Sequence, residues 1–196
     1  MTTQVTGSGV NFNGSTSGTI LLTQPAVAGS NTITLPAETG TARTTVSSGT
    51  VLQVVNYQTG TFATGTTAIP IDNTIPQITE GNEYMTLAIT PRSATSKLLI
   101  AVVVQGSVNI AEWASMALFQ DATANALACG WNYLDTATAG LPITLVHYMT
   151  SGTTSLTTFK VRIGTNGGNT FSINGQGAAR FGGTLASSIT ITEVVP

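Results

Sequence analysis

Few residues in this chain carry side chains that can do covalent or phosphate chemistry, and their spacing limits what that chemistry is. Cys129 and His147 are each alone of their kind. A cysteine nucleophile needs a base within hydrogen-bond reach and a third group to orient that base. Cys129, in "LACGW", reads instead as a small buried hydrophobe. His147 sits in "ITLVHYMT" on the face opposite Val146 and Tyr148, as a histidine at a core edge or an interface. No G-x-S-x-G is present, so a serine hydrolase would have to use the same lone histidine. "GTNGGN", residues 164–169, is glycine-rich, but neither a helix nor a lysine follows as a phosphate loop requires. It reads as a hairpin turn. The expectation is a protein that is not an enzyme, with no catalytic residues and no cofactor.

Charge is scarce, and it gathers. Only 7% of residues are charged, against roughly 25% in an ordinary soluble protein. Five of them, Asp72, Glu80, Glu83, Arg92 and Lys97, fall in "PIDNTIPQITEGNEYMTLAITPRSATSKLLIAVVV", residues 70–104. In one reading Pro70 and Pro76 stiffen a strap between sheets, while Asp72 and Glu80 bond turn amides. In a second, Asp72, Glu80 and Glu83 form a calcium site, although EF-hand spacing is absent. In a third, the acids meet Arg92 or Lys97 of a neighbouring subunit. The third accounts for the gathering of scarce charges and is the expectation carried forward, with no metal assigned. Trp113, Trp131, Tyr133 and Tyr148 would form a carbohydrate platform if exposed. With aromatics at 6%, most are expected in the core or in subunit contacts.

The elements that must hold these residues are strands. Apolar residues recur with a period of two: Met85, Leu87 and Ile89 point one way, Tyr84, Thr86 and Thr90 the other. The same alternation marks Phe159, Val161 and Ile163, and Ile189 with Ile191. Lys97 to Val104 is apolar on both faces, as a central strand covered on each side would be. "SMALFQD" and "ATANALACG" read as a hairpin rather than a helix. Glycine, asparagine and serine clusters separate the runs. The fold expected is all-β, an antiparallel β-sandwich or jelly roll.

Composition divides the chain. Residues 1–48 are rich in threonine, serine and glycine and hold just Glu38 and Arg43 as charged residues. Their apolar side chains are too sparse for a stable core. They read as a β-rich arm or stalk, residues 49–196 as the sandwich head. In the arm, strands are expected at 19–23 and 32–35, closed by Pro25 and Pro36. The net charge of −2 offers no footprint for nucleic acid or an anionic membrane. No run of about 18 apolar residues exists to span a bilayer. The N-terminus has no signal-peptide pattern, so assembly in a cytoplasm is expected. A surface so poor in charge is poorly protected against self-association, and copies of the chain or another protein are the natural cover.

"QPAVAGSNTITLPAETGTA", residues 24–42, resembles a segment common in bacteriophage tail-fibre and other virion structural proteins. "TTAIPIDNTIPQITEGNEYMTLAITPRSATSKLLI", residues 66–100, resembles the start of a β-sandwich domain of phage virion proteins, and "SSITITEVVP" its last strand. The resemblance implies a homotrimeric, non-catalytic component of a phage particle, assembled in the bacterial host cytoplasm. The chain has neither collagen-like repeats nor heptads. A short arm and one head suit a capsid cement, or decoration, protein on the capsid exterior, with the major capsid protein as partner. Phe12, Ile20, Leu22, Ile33 and Leu35 would then supply arm contacts to the trimer and the capsid. The alternative is a short tail-fibre or receptor-binding protein whose loops 105–112 and 130–142 read a host surface glycan.

Overall fold

The computed structural model describes residues 10–13, 19–22, 47–137 and 139–196. The chain divides into two compact units, Met1–Arg43 and Thr44–Pro196. In the first, β1 (Val10–Asn13) and β2 (Thr19–Leu22) pair antiparallel, with Phe12 opposite Ile20 and Val10 opposite Leu22. Ile33 and Leu35, with the strand expected around them, lie outside the described residues.

The second unit is an antiparallel β-sandwich. Its strands are β3 (Val51–Thr59), β4 (Ala63–Gly65), β5 (Asn82–Ile89), β6 (Lys97–Val108), β7 (Glu112–Gln120) and β8 (Ala128–Leu134), followed by β9 (Gly140–Thr150), β10 (Thr157–Thr165), β11 (Phe171–Ile173) and β12 (Ser187–Val194). The smaller sheet runs β5-β10-β7-β8. The larger runs β3-β12-β6-β11-β4, with β9 on the other edge of β6. The hairpin expected around residue 121 is β7–β8, with Trp113 opposite Tyr133 and Ser115 opposite Trp131.

Alternation builds the core. From the larger sheet Leu98, Ile100, Val102, Val104, Ile189 and Ile191 point inward; from the smaller sheet Met85, Met116, Leu118, Phe159, Val161 and Ile163 meet them. Each such side chain contributes about 1.5–3 kcal/mol through removal from water. Tyr84 departs from the expected pattern. The β5–β10 register shifts between Val161 and Arg162, so Met85 faces Val161 while Glu83 faces Arg162, and Tyr84 is the extra residue of a bulge. Its ring turns back to the core, 6.1 Å from Phe171. Its hydroxyl is buried without a partner, and burial pushes its pKa up to about 12.

Two further expectations change. β6 is central, paired with β12 and β9, but it is not covered on both faces: Leu99 and Val103 stand out into solvent at 39% and 37% exposure. "GTNGGN" is not a hairpin turn. It carries the chain from β10 in the smaller sheet to β11 in the larger, and Glu112 clamps it by accepting from Gly167 N and from Asn169 Nδ2.

The same alternation that buries Ile189 and Ile191 carries Glu193 inside, with no exposed surface. Its carboxylate accepts hydrogen bonds from Ser96 Oγ, Gln53 Nε2 and the backbone amides of Arg92 (2.8 Å) and Ser93 (3.4 Å). Burial raises the carboxyl pKa, but these donors outweigh it and hold the group below its ordinary value. A depressed folded-state pKa stabilises the fold above the unfolded-state value and is lost as pH falls through the folded one. Glu193→Gln turns an amide N–H toward donors that need an acceptor, and it should lower stability by about 1–3 kcal/mol at neutral pH. Chemical denaturation between pH 7 and pH 3 checks this. The wild-type protein should lose stability below the ordinary glutamate range of about 4.3, and the variant should show a smaller acid-dependent loss.

Candidate functional site

Residues 66–81 join β4 in the larger sheet to β5 in the smaller, and they lie as a strap across the outer face of the smaller sheet. Ile69 is buried there on Ala117 and Phe119, with Ile78 and Ala126 beside them, a small second core outside the sandwich. Backbone bonds fasten the strap: Ile69 N to Thr165 O at 3.0 Å, Gly81 N to Ala68 O at 2.9 Å, and Ile78 N to Ala124 O at 2.7 Å. Asn166 Oδ1 accepts from Ile71 N at 2.7 Å. Gly81 adopts φ 65, the left-handed turn that closes the strap into β5. Gly164 passes beneath it, where a Cβ would meet the backbone of Thr67 and Ile69.

Four of the five charged side chains expected at this place, Asp72, Glu80, Glu83 and Lys97, have partners within the protomer. Asp72 accepts from Thr74 N at 2.8 Å and from its hydroxyl, and these bonds hold its carboxyl below the ordinary value. Glu80 accepts from Gln77 N at 2.9 Å. Glu83 accepts from Thr86 Oγ1 at 2.7 Å and pairs with Arg162 at 3.3 Å and Lys160 at 3.9 Å. Lys97 Nζ donates to Thr150 Oγ1 at 2.7 Å. The Arg92 backbone serves Glu193. Asp72, Glu80 and Glu83 thus turn to separate donors, and no three His, Cys, Asp or Glu side chains converge among the described residues.

Arg162 is the member of this group that sequence reading missed. It donates from Nε to Glu80 O at 2.8 Å and from Nη2 to Gly81 O at 2.7 Å, besides pairing with Glu83. Its signal was present in "FKVRIGT", where alternation puts Lys160 and Arg162 on the face opposite Phe159, Val161 and Ile163. Glu193 was legible in the same way, in phase with Ile189 and Ile191.

Cys129 is exposed, not buried as expected, because β8 is an edge strand and its residue lies on the outer face. Partial burial and the nearby Glu80 push its thiol pKa up, which leaves it protonated and a poor nucleophile. His147 is half-buried in register with Ile100, while its neighbours Val146 and Tyr148 are exposed on the other face. No hydrogen bond joins it to Cys129. The aromatic residues are mostly outside the core: Trp131 and Tyr133 are exposed and Trp113 is half-buried. Their rings cluster, with Trp113 4.4 Å from Trp131 and 4.8 Å from Tyr133.

No family model matches the chain, and no curated protein matches it in sequence. Solved structures with some likeness include the EclA C-terminal domain, a sugar-binding protein, at 19% identity and TM-score 0.33, covering 74% of this chain and 87% of that one. A chain of infectious bursal disease virus, Gt strain, has 13% identity and TM-score 0.43, covering 91% of this chain and 47% of that one. The VP2 subviral particle of the same virus has 12% identity and TM-score 0.31, over 90% and 48%. This chain spans about half the length of those virus chains. Scores this low assign no function, and the site stands on its own geometry.

The tight passage beneath the strap gives a direct test of its fastening. Gly164→Ala should force strap and strand apart and lower stability by about 1–3 kcal/mol, the usual range for overpacking. Hydrogen exchange at the Ile69 and Gly81 amides should then lose protection before the amides of β6 do.

Proposed function

We propose that this protein is a non-enzymatic virion structural protein, a homotrimeric capsid cement protein that binds the outer surface of a phage major capsid protein and stabilises the shell. The observation that carries the reading is the outer face of the larger sheet. Its cross-strand rows, Val54–Thr192–Leu99–Tyr148, Asn56–Thr190–Ala101–Val146 and Gln58–Ser188–Val103–Thr144, contain no charged residue. Val146 and Tyr148 are 68% and 58% exposed in the single chain. Lys97, between Val194 and Thr150, is the charge at one end of this face. A face otherwise uncharged and carrying apolar side chains is what an obligate interface leaves bare when its partner is removed. The five residues at 70–104 offer less to a neighbour, since most already have partners within the chain. The phage assignment rests on the resemblance of residues 66–100 and 187–196, and the capsid assignment on the short arm.

A second reading, a short tail-fibre or receptor-binding protein recognising a host glycan, draws on the exposed Trp131 cluster. Copy number separates the two: quantitative mass spectrometry of purified particles should find this chain at a level comparable to the major capsid protein. A few copies in multiples of three would transfer it to the tail. Native mass spectrometry of the isolated protein should give a trimer, and Val146→Glu, which puts a charge on the bare face without touching the core, should shift it to monomer. Removing residues 1–43 should leave folded heads and abolish attachment to particles. Decoration by the truncated protein would overturn the role given to the arm.

A further inference from the structure

Between the strap and the β7–β8 hairpin lies a groove of about 520 Å3, within the size range of small-ligand sites. Ile71, Asp72 and Ile75 of the strap form one wall, Trp131 of β8 lines the other, and Ser115 of β7 is between them. Trp131 is 62% exposed, and Trp113 packs against it at a steep angle of 65° between rings. The Ser115 hydroxyl belongs to a residue only 5% exposed, yet it makes no hydrogen bond among the described residues. Asp72 adds an anionic acceptor on the opposite wall. The strap's hydrogen bonds to Thr165, Asn166 and Ala124 hold that wall in place before any ligand arrives.

A braced, exposed indole beside a carboxylate and an unpartnered hydroxyl matches one ligand chemistry well. A sugar ring has an apolar C–H face, which lies on an aromatic surface, and a rim of hydroxyls that donate to a carboxylate and exchange hydrogen bonds with a serine. No lysine or arginine lines the groove, which leaves phosphates and acidic sugars without a counter-charge and facing Asp72. We propose that this groove binds a neutral hexose-containing oligosaccharide, stacked on Trp131 and hydrogen-bonded to Asp72 and Ser115. The site keeps Trp131 from the 130–142 stretch, where the sequence places glycan recognition, and sets the strap and Ser115 beside it in place of residues 105–112. It deepens the receptor-binding reading and rests on it for its biological use.

The test applies the full chain to an array of defined neutral and sialylated oligosaccharides, followed by calorimetric titration with the best neutral binder and its methyl glycoside. Neutral glycans should bind and sialylated ones should not. Trp131→Ala and Asp72→Asn should each weaken binding by at least about tenfold, as expected for loss of one ring face or one charged acceptor. Phe181→Ala removes an aromatic that is 78% exposed elsewhere on the surface and should leave binding unchanged. Absence of any neutral binder, a preference for acidic glycans, or full affinity in Trp131→Ala would overturn the proposal. So would arm residues seated in the groove in the assembled particle. Adhesion of the protein to cells of the host is measured in parallel. Adhesion that survives Trp131→Ala defeats this site and spares the receptor-binding reading, whereas absence of both adhesion and array binding defeats both.

Discussion

The buried carboxylate of Glu193 holds the register on which the head depends. It joins β12 to Gln53 of β3 and to the Arg92–Ser96 turn that leads from β5 into β6. One acidic side chain therefore ties both neighbours of the last strand and the crossover between sheets. Moving β12 by one residue would bring Thr190 and Thr192 inside and carry Ile189, Ile191 and Glu193 to the surface. The Arg92 and Ser93 amides would then lose their acceptor, while Gln53 Nε2 and Ser96 Oγ would keep the carbonyls of Thr90 and Ser93. Hydrophobic alternation favours the native register along the whole strand; the carboxylate penalises the alternative at one point.

The two outer faces of the sandwich are treated differently. The smaller sheet is covered by the strap, whose buried Ile69 and backbone bonds form a second small core. The larger sheet carries an exposed outer face whose central rows hold no charge, with Lys97 at one end. This asymmetry sets a braced groove with an indole, a carboxylate and a hydroxyl on one side and an exposed sheet face on the other. Near the groove, partial burial and Glu80 push the Cys129 thiol pKa up.

Much of the fold was legible because β-strands write their orientation into the chain with a period of two. "YMTLAIT", "TTFKVRIGT" and "SSITITEV" each announce an inner and an outer set of side chains, and the inner sets are the ones found packed in the core. The exceptions are local. Tyr84 changed sides because a bulge inserts a residue into β5, and period alone carries no mark of a bulge. The apolar neighbours of Cys129 point to burial, but edge position and strand face, not composition, govern its exposure.

The sequence by itself determined that the protein is all-β and that its scarce charges gather near residues 70–104, and it offered a stiff strap between sheets as one of three readings of that segment. These are local properties of spacing and residue type. Tertiary structure alone decided which strands neighbour one another, and so that Arg162, some eighty residues along the chain, supplies Glu83 and the strap carbonyls with their donor. It alone decided that Asp72, Ser115 and Trp131 line one groove. The physical reason is that antiparallel pairing joins residues across long loops, whose closure costs entropy only as the logarithm of their length. Nothing in the neighbourhood of a residue therefore records which distant strand will lie beside it.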